Sequence, residues 1–282
     1  MTAVDPTAER NARAHQYLQE GRDDLAIPLF EEVLAERVRV LGADHPDTIA
    51  SRGNLAGAYE SAWCLGKAIS QYKKVLAHQL RVLGADNPDT LTSRNNLAYA
   101  YQAAGRLGKA ISQYKKVLAH QLRVLGAGHP DTIASRGNLA GAYESAWCLG
   151  KAISQYKKVL AHQLRVLGAD NPDTLTSRNN LAYAYQAAGR LGKAISQYKK
   201  VLAHQLRVLG AGHPDTIASR NNLASAYYAA GRLGEAIPLF EKVLADSARV
   251  LGPDHPDTLT SRRNLEAARR ARESGSASAR AP

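Results

Sequence analysis

Residues 85–126 read ADNPDTLTSRNNLAYAYQAAGRLGKAISQYKKVLAHQLRVLG, and this stretch decides the fold because the chain keeps returning to it. Pro46, Pro88, Pro130, Pro172, Pro214 and Pro256 fall forty-two residues apart without slippage. A fixed period of that length marks a solenoid, whose units bury apolar surface only by stacking on their neighbours. Each unit is predicted to hold two helices. Pro88 suits a first helical position, where the N–H has no partner in any case. Asn87 can accept from the free N–H groups that open the helix. Leu97, Ala100, Tyr101 and Ala104 follow at helical spacing as one apolar stripe. Gly105 ends this helix in a left-handed conformation. The second helix starts near Leu107, buries Ala110, Ile111, Tyr114, Val117 and Leu118, and closes at Gly126.

Composition narrows the classes. The 282 residues contain no apolar run long enough to span a membrane, so no membrane partner is expected. The opening MTAVDPTAER carries acidic residues and no apolar segment, which is unlike a secretory signal and points to the cytoplasm. Cys64 and Cys148 hold one position two repeats apart. Stacked helices lie ~8–10 Å apart, so these cysteines exceed the ~7 Å reach of a disulfide and are expected to be free thiols in a reducing compartment. The net charge of +12 comes largely from Lys67, Lys73, Lys74 and Arg81, copied into four repeats. Such a stripe could meet RNA or an acidic partner. The other reading is a solvated outer face, because no aromatic residues interleave with the lysines as they do in single-strand binders.

Asn96-Leu97-Ala98, then Ala100-Tyr101, a glycine eight residues after Leu97, and finally Ala110 and Tyr114 resemble the tetratricopeptide repeat. The longer period and the Leu-Gly-x-Asp-His-Pro-Asp-Thr linker resemble its kinesin-light-chain-like branch. The resemblance covers residues 5–275 and recurs six times. It implies an all-α, right-handed α-solenoid of stacked antiparallel helix pairs, with the first helix of each repeat lining a concave groove. The expected organisation is an N-terminal lead at 1–4, a divergent repeat at 5–42, five full repeats over 43–252, an Arg-rich capping helix at 253–273 and a disordered tail at 274–282.

Residues 45–136 and 129–220 are identical, so only three repeat patterns carry separate information. The first two share their second helices and differ only before them: Ala50/Thr92, Gly53/Asn95, Gly57/Tyr99, Glu60/Gln102, Ser61/Ala103, Trp63/Gly105 and Cys64/Arg106 are most of the changes. Positions 50, 53, 57, 60, 61 and 64 step by three and four and share one helix face, while Leu55, Tyr59 and Ala62 lie opposite. One pattern therefore presents Gly57, Glu60 and Trp63, copied as Glu144 and Trp147. The other presents Asn95, Tyr99, Gln102 and Arg106, copied as Asn179, Tyr183, Gln186 and Arg190. The last full repeat offers Asn221, Ser225 and Tyr228. Tyr, Trp and Arg are the usual hot spots of interfaces. Helical Gly53 and Gly57 cost roughly 1 kcal/mol each relative to alanine, and Trp63 replaces a turn glycine, where a bulky residue is strained if φ is positive. This is either a built pocket or drift copied once by duplication. Like surfaces recur every second repeat, about 20 Å apart at one helix-packing distance per repeat, or about six residues of extended chain.

Asn54, Asn96, Asn138, Asn180 and Asn222 recur beside that stripe. A side-chain amide both donates and accepts, which suits an extended peptide backbone. The resemblance implies groove asparagines that grip a peptide; the alternative is that each bonds the neighbouring helix. Both stand at this point. Nothing points to an enzyme or a cofactor. Gly105-Arg-Leu-Gly-Lys109 lacks the length and the Ser or Thr of a phosphate loop, and His78, His120, His162 and His204 recur too far apart to share a zinc. The function expected is a protein–protein interaction scaffold with a peptide or partner segment in the groove. The alternatives are nucleic-acid or acidic-partner binding through the basic face, and a self-assembling array.

Overall fold

The computed structural model describes residues 6–278, which form thirteen helices and, among the described residues, no strand. The chain divides into two compact units, 1–146 and 147–282. The first unit holds α1 (Pro6–Gln19), α2 (Asp23–Leu41), α3 (Pro46–Ser61), α4 (Leu65–Val82), α5 (Pro88–Ala103), α6 (Leu107–Val124) and α7 (Pro130–Ser145). The second holds α8 (Leu149–Val166), α9 (Pro172–Ala187), α10 (Leu191–Val208), α11 (Pro214–Ala229), α12 (Leu233–Leu251) and α13 (Pro256–Ser278). Within each unit every helix packs on its neighbours in chain order, the pattern of a nearest-neighbour stack. No proline interrupts α13 before Ser278, so residues 274–278 of the expected tail are helical, and the Ser274 hydroxyl donates back to the Ala271 carbonyl. Residues 279–282 and the lead at 1–4 lie outside the described residues.

Local chemistry sets the helix ends. Asn87 Oδ1 accepts from the Asp89 N–H at 2.8 Å, and His45 Nδ1 accepts from the Asp47 N–H at 3.2 Å. Each cap removes one orphan donor from a helix opened by proline. The first helices end where Gly105 takes φ +69° and the Arg106 N–H reaches the Tyr101 carbonyl at 2.8 Å. Trp63 takes φ +56° at the equivalent turn, with the same closing bond from the Cys64 N–H to the Tyr59 carbonyl.

The core is a repeated set. Leu97, Ala98, Ala100 and Tyr101 are buried against Ala110, Tyr114, Val117 and Leu118. Fully buried alanines bring the helix backbones close, and each large side chain removed from water contributes roughly 1.5–3 kcal/mol. Ile111 departs from expectation and is only half-buried, whereas Ile69 and Ile153 are buried. Since α4 and α6 share one sequence, the difference arises outside the helix itself. The linkers are tied down by ion pairs. Asp86 accepts from Arg123 Nη2 at 2.7 Å and contacts His120 Nδ1 at 2.5 Å. Asp44 with His78 and Arg81, and Asp170 with His204 and Arg207, repeat the arrangement.

Candidate functional site

Within each unit the odd-numbered helices leave a face uncovered. Tyr99 and Tyr183 are each 57% exposed and Tyr228 is 40% exposed; Trp63 and Trp147, in the turns, are 74% and 76% exposed. Arg106 and Arg190 beside the turns are exposed, as are Asn96, Asn138 and Asn180. Half-buried on the same face are Asn54, Gly57, Glu60, Asn95, Gln102 and Glu144, and likewise Asn179, Gln186, Asn221, Asn222 and Ser225. Consecutive first helices touch along this flank: Gln102 Nε2 donates to Ser145 Oγ at 3.1 Å, from α5 to α7.

Some of the asparagines are bonded to neighbouring helices. Asn54 Nδ2 donates to Asn11 Oδ1, and Asn264 Nδ2 to Asn221 Oδ1, each at 3.4 Å. Both pairs are 43 residues apart. The same step from Asn96 lands on Gly53, which has no side chain, so the exposed Asn96 amide lacks that partner. Asn95 Oδ1 and Asn179 Oδ1 are buried without a hydrogen-bond partner. In the second unit, Asn179 and Asn222 line a cleft of about 690 Å³ between α9 and α11, floored by Val201, Gln205 and Val208 of α10.

Glu60 sits on the last turn of α3. Its carboxyl accepts a hydrogen bond from the Tyr72 hydroxyl of α4, while Oε2 is buried without a hydrogen-bond partner. Burial holds Glu60 above the usual carboxylate range, against the downward pull of that bond. Tyr114 on α6 is pushed up to about 12, first by burial and then by the charges of Tyr99 and Glu60. A Cβ on Gly57 would stand 3.9 Å from the Tyr72 hydroxyl, and a Cβ on Gly53 would meet nothing within 4 Å.

Lys67, Lys73, Lys74, Lys109, Lys115 and Lys116 are exposed, as a solvated outer face requires, and three of them also lie near tyrosine rings. Lys67 Nζ lies 5.0 Å from the centroid of the Tyr59 ring, Lys109 5.7 Å from Tyr101 and Lys115 5.9 Å from Tyr143. The aromatic residues absent around the lysines in sequence come from the first helices, which a linear reading cannot bring together. Among the described residues no three His, Cys, Asp or Glu side chains are placed to hold a metal ion, and no helix is long and apolar enough to cross a membrane.

The family model for the tetratricopeptide repeat matches residues 6–62, 64–122, 96–146, 148–206, 181–246 and 215–280. The chain belongs to the tetratricopeptide repeat family. Repeats of this family are general scaffolds for protein–protein interaction. Among solved structures, the chain is 35% identical to a putative kinesin light chain with nearly identical tetratricopeptide-like repeats from Podosopora anserina, covering 73% of this chain and 97% of that one at a TM-score of 0.67. BtubC from P. vanneervenii shares the fold at 20% identity and TM-score 0.63, covering 90% of this chain and 95% of that one. PilW, a type IV pilus biogenesis factor, does so at 18% identity and TM-score 0.61, covering 92% and 99%. No curated protein matches. The tetratricopeptide pattern accounts for the buried Leu, Ala and Tyr positions, and leaves Trp63, Glu60, Gly57 and Tyr99 unexplained by packing.

Proposed function

We propose that the chain is a cytoplasmic scaffold that holds a protein or peptide segment along the exposed face of its first helices. Tyr99, Tyr183, Tyr228, Trp63 and Trp147 are the anchors. The observation that carries this reading is aromatic area left in water on one face while every core position is kept. Large exposed aromatic side chains are the usual hot spots of interfaces. Asn96 and the clefts between first helices add polar groups that an extended backbone can satisfy. The free thiols of Cys64 and Cys148 fit a reducing compartment. The tyrosines beside Lys67, Lys109 and Lys115 are buried and cannot stack on bases, which weighs against the basic face as a nucleic-acid site.

The test is titration of a partner captured from the source cell against wild type and the Tyr99→Ala/Tyr183→Ala variant. Binding is expected to weaken by about 2 kcal/mol or more, roughly thirtyfold, with the thermal midpoint almost unchanged. Normal binding by the variant would remove this face as the site, and an unfolded variant would assign both tyrosines to the core. Replacing Lys73, Lys74, Lys115 and Lys116 by Gln is expected to cost less than tenfold, about 1.4 kcal/mol. A larger loss would transfer the site to the basic face.

A further inference from the structure

We propose that Glu60 is a cation-accepting site that takes one lysine or arginine side chain from the bound segment. The inference rests on the first-helix face being the binding surface. Glu60 is a half-buried carboxylate in a chain of net charge +12, yet no lysine or arginine pairs with it among the described residues. Its Oε2 is out of water and without a hydrogen-bond partner. A buried carboxylate left so is destabilising, and the expected remedy is an opposite charge. The nearby Lys67 does not supply one, because its ammonium rests over the Tyr59 ring.

The surroundings are arranged for such a guest. At the position of Tyr72, the outer repeats carry Phe30 and Phe240, both buried, so packing does not need the hydroxyl. In α4 that hydroxyl serves Glu60. Gly53 and Gly57 clear the helix surface beside the carboxylate, leaving open space for an alkyl stem. A single carboxylate beside the Tyr72 hydroxyl suits an organic cation better than a metal ion, which needs several oxygen ligands. The overall positive field repels basic segments, so a basic anchor requires a local site of this kind.

The experiment is selection of displayed random twelve-residue peptides on the immobilised full-length protein. We expect a recovered sequence family with Lys or Arg fixed at one position. A synthetic peptide from that family should lose at least tenfold in affinity when the position becomes Gln. It should lose as much against the Glu60→Gln/Glu144→Gln variant, whose fold is checked by melting. A second variant, Gly57→Tyr/Gly141→Tyr, keeps both carboxylates and fills the cleared surface as Tyr99 does in its own repeat; it should also lose binding. A family with no fixed basic position, or one that both variants bind as tightly as wild type does, overturns the cation site and leaves the binding face standing. Recovery of no family at all overturns both.

Discussion

Gly21 and Gly105 turn the chain between paired helices at φ +72° and +69°, and Trp63 makes the same turn at φ +56° with an indole attached. The left-handed conformation costs a residue with a side chain about 1–2 kcal/mol. Trp63 is about three-quarters exposed, so packing returns little of that. Strain held at an exposed aromatic residue is the kind of feature that collects at functional sites. We expect Trp63→Gly to raise stability by roughly 0.5–1 kcal/mol, less than the full strain because glycine gains freedom in the unfolded chain. Urea unfolding checks this, and an unchanged or lower midpoint would sink the strain account. Glu60 makes a parallel case through charge. Its folded pKa is raised by burial, so the folded state disfavours the carboxylate. That penalty is present above the folded pKa and relieved as pH falls through it toward the unfolded value of about 4.3. Glu60→Gln is therefore expected to melt higher than wild type at neutral pH, with the difference vanishing below about pH 4. A lower neutral melting point would mean that the Tyr72 bond outweighs the burial.

The linker clamps carry the opposite sign. Asp44 and Asp170 are held below the usual carboxylate range first by their histidines, and Asp86 first by Arg123. A depressed folded pKa gives stability that is present above the unfolded value of about 3.9 and lost as pH falls through the folded one. Melting of wild type is expected to steepen its decline below about pH 4, and the Asp44→Asn/Asp86→Asn/Asp170→Asn variant to show a shallower decline there. Equal slopes would show that the clamps contribute nothing. Asn87→Ala should cost about 1 kcal/mol at the head of α5, read from the same melts. The helix ends and buried stripes were legible because Pro, Gly and the 3.6-residue period act within one helix. The face carrying Tyr99, Glu60 and Trp63 was legible from spacing for the same reason. Contacts between helices were not. Arg94 is buried and donates to Gln113 of α6 at 3.0 Å, although arginine ordinarily faces solvent. The Tyr72–Glu60 bond and the lysines over tyrosines likewise join separate elements. The clamp left one readable trace: Asp and His recur 34 residues apart at 44/78, 86/120 and 170/204, and where Gly212 removes the acid, Asp246 replaces the histidine and pairs with Arg220 at 2.6 Å.

A stack in which each repeat meets only its neighbouring repeats should survive removal of whole repeats if the new seam brings together helices that already pack. Residues 85–168 satisfy this. Their loss joins Gly84 to Ala169, and in the intact chain Gly168 precedes Ala169. The second helix then preceding α9 is α4, whose sequence is identical to that of α8, the helix packed on α9 in the second unit. The first helix before it, α3, is identical in sequence to α7. The seam therefore contains no sequence neighbour absent from the parent, and nearest-neighbour stability follows the number of repeats kept. We expect the shortened chain, 84 of 282 residues fewer (168 − 85 + 1), to lose helical circular dichroism only in that proportion and to melt cooperatively. The deletion also removes Tyr99 and Glu144 while keeping Glu60, Trp63 and Tyr183. One copy of each surface pattern remains, so a peptide that engages a single pair of patterns should still bind, and one that needs all four should lose affinity by tenfold or more, about 1.4 kcal/mol. Loss of helix from the remaining repeats beyond the share removed would show that the units depend on more than their neighbours.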